Sequence, residues 1–191
     1  MKRTQPWSLL ALSALLLLNS CNRDEQTVAP TDDNEAITTA TLTLTNKAAP
    51  TQVITATIDN LNGTADFSKA TLTLKANTTY TGQITLLDKT KTPVVVATDE
   101  IREKANEHLF VYTFTPATGS SATLGVTLTD KDTNPAPGPY PIGLATELKT
   151  GTATGSGSLR VVLRHQPNVK NGTQTPGSSD LDTQFPVVVQ P

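Results

Sequence analysis

Residues 39–45 read TATLTLT, in which Ala40, Leu42 and Leu44 alternate with Thr39, Thr41, Thr43 and Thr45. Successive strand side chains point to opposite faces, so a period of two makes one apolar face and one hydroxyl face. Threonine is β-branched and suits the wet side of a half-buried strand. The pattern recurs along the chain. Ile54, Ala56 and Ile58 alternate with Thr55 and Thr57, and Ala70, Leu72 and Leu74 follow. Tyr80, Gly82, Ile84 and Leu86 make another run, and residues 93–97 a short one. Phe110, Tyr112 and Phe114 alternate with Leu109, Val111 and Thr113. Leu124, Val126 and Leu128 come next, then Ile142, Leu144 and Leu148, then Leu159, Val161 and Leu163, and a last run at 185–189. Nine or ten strands with Gly-, Pro- and Asn-rich turns and no β–α–β rhythm predict an all-β antiparallel sandwich. The one helical segment is residues 98–107 (TDEIREKANE), with Thr98 as its expected cap and Asp99 and Glu100 in the first turn, where the helix dipole favours anions.

The segment LKANTTY (residues 74–80) sharpens the expectation. It resembles the tyrosine corner of fibronectin type III and related immunoglobulin-like domains, in which a Tyr opening a strand bonds back to upstream backbone through its hydroxyl. The resemblance implies an immunoglobulin-like sandwich.

At the other end of the chain, Lys2 and Arg3 precede an uncharged apolar run at 7–18 (WSLLALSALLLL), followed by Asn19, Ser20 and Cys21. This is the layout of a secretory signal peptide, and the run is too short to span a bilayer as a helix. Leu18-Asn19-Ser20-Cys21 resembles the lipobox of bacterial lipoproteins, with Asn19 departing from the commonest residues of that motif. The resemblance implies cleavage before Cys21 and acylation of its thiol, which turns a soluble protein into an anchored one. The expected organisation is a signal peptide at 1–20, a polar tether at 21–34 and one domain at 35–191.

Composition narrows the function. Residues 1–20 contain Lys2 and Arg3 and no acid, so the net charge of −2 for the whole chain becomes −2 − 2 = −4 after cleavage. A slightly acidic chain without a basic patch argues against nucleic acid as a partner. Cys21 is the only cysteine; once lipidated it leaves no thiol for catalysis, a disulfide or a zinc–cysteine site. The mature chain holds 34 threonines, as expected for strands with one wet face.

Candidate chemistry is sparse. The chain has two histidines. His108 stands where the helical segment meets a strand and His165 where a strand ends. Glu100, Glu103 and Glu107 follow at helical spacings of three and four. Imidazoles with carboxylates and no thiolate suit zinc or a similar divalent metal ion, so His108, His165, Glu107, Glu103 and Glu100 form a candidate metal set. It requires the two imidazoles to meet, which antiparallel neighbouring strands in register would achieve. Asp130, Asp132 and Asn134 carry the odd-position oxygens of a calcium-like loop. Pro135 and Pro141 stand where an EF-hand needs Gly and Glu, which excludes that motif and leaves a looser calcium loop or a solvated hairpin turn. No nucleophile elbow, Walker loop or dinucleotide loop is present.

The stretches LKANTTYTGQITLL (74–87), EHLFVY (107–112), 130–144 with its Pro-Ile-Gly-Leu end, GSGSLRVVLRHQ (155–166) and FPVVVQ (185–190) resemble small Bacteroidetes envelope lipoproteins, often encoded beside TonB-dependent outer-membrane receptors. Members often carry the label "type 1 periplasmic binding fold", which requires alternating strands and helices over a longer chain and conflicts with this one. Asp24 and Glu25, soon after the cysteine, resemble the acidic surface-export signal of such lipoproteins. The family resemblance implies an outer-membrane lipoprotein assisting nutrient or metal uptake. The expected function is a non-enzymatic binding or accessory module; the alternatives are an envelope hydrolase without a recognisable motif and a purely structural surface protein.

Overall fold

A computed structural model describes residues 36–191; the signal peptide, Cys21 and the tether lie outside the described residues. Eleven strands form two sheets. They are β1 (Thr39–Asn46), β2 (Val53–Asp59), β3 (Asp66–Lys69), β4 (Leu72–Lys75), β5 (Thr79–Asp88), β6 (Val95–Val96), β7 (His108–Pro116), β8 (Leu124–Leu128), β9 (Ala145–Thr150), β10 (Gly155–His165) and β11 (Ser178–Gln190). The larger sheet has the order β3-β2-β1-β5-β9-β8, with β6 on the end of β5, and the smaller has the order β4-β11-β10-β7. The chain is therefore mostly strand in two layers, as the alternation predicts.

The threonine pattern sets the faces. Leu42 pairs with Ala56 and Ile84, and Leu44 with Ile54 and Gly82, in register across β2, β1 and β5. Their side chains meet Leu72, Leu74, Leu159, Val161, Leu163, Phe185 and Val187 of the smaller sheet in one core. Thr41 and Thr57 face outward as a cross-strand hydroxyl pair at 3.1 Å. Gly82 has no room for a side chain: an added Cβ would lie 2.5 Å from the Thr146 hydroxyl and 2.7 Å from Leu148. Tyr80 is buried, and its hydroxyl accepts a hydrogen bond from the Lys75 N–H at 2.8 Å. That bond ties the start of β5 to the end of β4, in the other sheet.

Three local expectations change. The smaller sheet is mixed, because β4 runs parallel to β11. Period-two reading finds strands but says nothing of which strand lies beside which. The helical segment splits into α1 (Ala97–Glu103) and a 3₁₀ turn, η1 (Ala105–Glu107), with Val96 at the cap position and no side-chain cap. Pairing of Val96 with Leu87 directs the chain so that the helix starts at Ala97. Thr98 is thereby buried in the first turn, beside Ala97 and Ile101. Finally, Ile142 and Leu144 precede β9 instead of lying in it. The Asp130 carboxylate accepts the N–H groups of Gly143 (2.7 Å) and Leu144 (3.0 Å), and of Ala145 (3.1 Å) at the start of β9, which keeps the residues before Ala145 out of the ladder. The segment then stitches the layers together. The Phe110 N–H of one sheet donates to the Ile142 carbonyl, and the Ile84 N–H of the other to that of Leu144.

Candidate functional site

His108 opens β7 and His165 closes β10, and the two are direct cross-strand partners. Alternation along both strands points them into the sandwich, in line with Phe110 and Leu163. Their rings stack with centroids 4.9 Å apart and planes 8° from parallel, and the residues are 1% and 6% exposed. The residues of the expected set do not all meet. Glu107 places a carboxylate oxygen 3.8 Å from His165 Nε2. Glu100 is tied to Lys104 at 2.9 Å on the helix surface, and Glu103 is exposed.

The other imidazole has a partner that sequence reading missed. Asp180 places Oδ2 3.7 Å from His108 Nε2, with both side chains essentially inaccessible. Position 180 follows from a β-bulge. Leu163 pairs with Leu181 but Arg164 with Ser179, so Asp180 is the extra residue on β11. Plain alternation would set it opposite to the inward Leu181; the bulge re-aims it inward. A register shift of this kind leaves no mark in hydrophobic periodicity. The two Nε2 atoms thus serve different carboxylates, one on β11 and one before β7. Among the described residues, no three His, Cys, Asp or Glu side chains are grouped as a metal cage.

Beside the stack lies a buried ion pair. The Lys170 ammonium donates to Asp132 Oδ2 at 2.8 Å and to the Ala105 carbonyl at 2.9 Å, with side chains 1% and 0% exposed. Burial pulls Asp132 upward, but hydrogen bonds from Lys170, the Tyr140 N–H and Asn134 outweigh it and hold the carboxyl below the ordinary 3.8. Burial pushes the Lys170 amine below its ordinary value, against the opposing hydrogen bond and charge of Asp132 and the charge of Asp130. The calcium-like loop is accordingly occupied by the protein's own donors. Asp130 holds three backbone amides, and Asp132 holds Asn134 (N–H and Nδ2), the Tyr140 N–H and Lys170. Asn134 Nδ2 also donates to the Asn106 carbonyl. The loop is clamped at Asp130 and Asp132, while Lys131, Thr133, Pro135, Ala136 and Pro137 stay exposed. Gln166 follows the stack and is fully buried, and its Nε2 donates to the carbonyls of Thr173 and Pro176.

Five surface grooves of about 330 to 550 Å³ are lined by neither histidine. Both imidazoles lie inside the packed end of the smaller sheet, near Asp180, Glu107, Gln166 and the Lys170–Asp132 pair. No protein-family model matched the chain, and no curated protein and no solved structure matched it significantly.

Proposed function

We propose that this chain is a cell-envelope lipoprotein, held by lipid on Cys21, whose sandwich works as a binding or accessory module and not as an enzyme. The observation that carries the second half is the burial of both histidines. An imidazole acting as general base has to reach a substrate in a cleft, and His108 and His165 are stacked inside the sandwich instead. The first half rests on the order basic start, apolar run, Ser20-Cys21. We further read the sandwich as a variant of the immunoglobulin and fibronectin type III architecture. The Tyr80–Lys75 bond supports that reading. Resemblance to envelope lipoproteins encoded beside TonB-dependent receptors makes such a receptor the proposed partner, in nutrient or metal uptake at the outer membrane.

The test is Cys21→Ser, expressed in a Gram-negative host. The substitution removes the acylation site, so the protein leaves the membrane fraction or accumulates as precursor, and labelled palmitate is no longer incorporated. A Cys21→Ser protein that matures and stays in the membrane fraction refutes the anchor. A tagged wild-type protein that brings down an outer-membrane receptor from detergent extracts, where Cys21→Ser does not, supports the accessory role.

A further inference from the structure

We infer that residues 89–96 (KTKTPVVV) form a membrane-contact patch, whose three valines enter the interface of the lipid bilayer that holds the anchor, with Lys91 at the headgroups. This rests on the reading of Cys21 as acylated and names the face of the domain that the anchor brings to the membrane.

All eight residues from Lys89 to Val96 are exposed. Val94, Val95 and Val96 are 51%, 41% and 39% exposed, although Val95 and Val96 form β6. Successive strand residues point to opposite faces, so alternation would bury one of the two; here both stay in solvent. The other exposed large apolar residues, Val53, Phe67, Val169 and Val188, stand singly in the sequence, and single ones are ordinary on a soluble surface. Three in a row behind Pro93 make an apolar strip. Its neighbouring charges are mostly matched within the protein. Among residues 88–100, Lys89 pairs with Asp59 at 2.5 Å, Asp99 with Arg102 at 2.6 Å and Glu100 with Lys104 at 2.9 Å. Asp88 is buried and accepts the Thr90 N–H and hydroxyl. Lys91 stands in no ion pair among the described residues. An ammonium on a long stem beside an apolar strip suits the level of anionic headgroups.

Topology places the strip. Val96 pairs with Leu87 and Val95 with Asp88, at the end of β5. Leu87 also pairs with Thr39, the first residue of β1. Thr38 ties the loop to that start: its N–H and hydroxyl donate to the Leu87 carbonyl at 2.8 and 2.9 Å, and its hydroxyl accepts the Lys89 N–H at 2.9 Å. The strip therefore lies at the end of the sandwich where the chain enters the domain from Cys21. From Cys21 to Ala36 is 36 − 21 = 15 residues, which reach about 50 Å at full extension and less in any other form. The opposite end, where Val53 pairs with Thr45, is 45 − 39 = 6 residues further along β1, or about 20 Å at ~3.4 Å per residue. Bringing that end to the bilayer would need the tether to run back along the domain; bringing the valines there needs no such path. An acyl anchor also makes the second contact intramolecular, at high effective concentration. A strip too small to hold a free protein on a bilayer is then enough to orient a tethered one.

The experiment uses the full acylated chain, purified in detergent and reconstituted into vesicles of phosphatidylethanolamine and phosphatidylglycerol. Val95→Cys and Val53→Cys each carry an environment-sensitive fluorophore; both positions are exposed, and Cys21, the only native cysteine, is blocked by its acyl groups. The label at 95 should shift to the blue and be quenched at least twofold by spin-labelled lipid, while the label at 53 should be quenched by aqueous iodide instead. Adding Val94→Asp and Val96→Asp to Val95→Cys should abolish the lipid quenching and leave the thermal midpoint in place. Equal iodide quenching at 95 and 53 overturns the patch. So does a blue shift without lipid quenching, which would mean that a second copy of the chain covers the valines. Mass spectrometry before labelling separates the two readings: a chain without acyl groups on Cys21 refutes the anchor and the patch with it, whereas an acylated chain with a water-exposed position 95 refutes the patch alone.

Discussion

Replacing Lys170 by Met is the sharpest test of how the loops around the histidine stack are held. The methionine keeps the length of the buried stem and removes the charge. In the native protein the ammonium bonds Asp132 Oδ2 at 2.8 Å and the Ala105 carbonyl at 2.9 Å, with both charged side chains at most 1% exposed. Removing one partner of a buried pair leaves an uncompensated charge and costs about 3–5 kcal/mol. Asp132 is not abandoned, because the Tyr140 N–H (2.7 Å) and the Asn134 N–H and Nδ2 (3.2 and 2.8 Å) still donate to it. The lower end, about 3 kcal/mol, is therefore expected. For a domain of this size each kcal/mol moves the thermal midpoint by roughly 2–4 °C, so a drop of roughly 6–12 °C should follow. Equilibrium urea unfolding measures the free energy directly, and Asp132→Asn combined with Lys170→Met completes a double-mutant cycle. Most of the loss should be shared, with the double variant well above the sum of the singles. A loss below about 1 kcal/mol, or strict additivity, would refute the idea that this pair ties the 166–177 segment to the 130–140 loop.

Tyr80→Phe removes the acceptor of the Lys75 N–H and should cost about 1 kcal/mol, the usual net worth of one hydrogen bond; unchanged urea unfolding would show that the corner is ornamental. Asp130→Asn replaces a carboxylate holding three backbone amides with a group that has one acceptor oxygen. It should cost about 2–4 kcal/mol, and hydrogen exchange at Gly143, Leu144 and Ala145 should accelerate together. Acid should unfold the protein by a defined route. Hydrogen bonds to Lys89 and Thr39 hold Asp59 below the ordinary carboxylate value, one to Thr90 does so for Asp88, and one to Arg160 for Asp182. In Asp132 its bonds outweigh the opposing effect of burial. A carboxylate with a lowered folded value stabilises above the unfolded value and loses that contribution as pH falls through the folded one. Stability should hold above pH 4 and decline below it, and a profile that is flat down to pH 2 would contradict the assignment.

The buried and exposed sides of nearly every strand were legible in the sequence, because TATLTLT and its repeats tell core from solvent through a period of two. The meeting of His108 with His165 was legible only as a condition: both sit at strand ends, so one register, and no other, brings them together. The bond from the Lys75 N–H to the Tyr80 hydroxyl was legible because that contact spans five residues, and local chemistry reports local contacts. The identity of the neighbours was decided elsewhere. That β4 joins neither β3 nor β5, its neighbours in sequence, but runs parallel to β11 depends on how two layers pack, and no stretch of either strand records it. Asp130 and Asp132 carry the composition of a cation loop, yet the fold brings amides from 143–145 and an ammonium from residue 170 to fill them. Asp180 is the clearest case. In sequence it sits in Ser178-Ser179-Asp180-Leu181-Asp182, where alternation turns it to solvent. One extra residue in the β10–β11 ladder turns it inward to His108, and a register shift exists only between two strands, never in one.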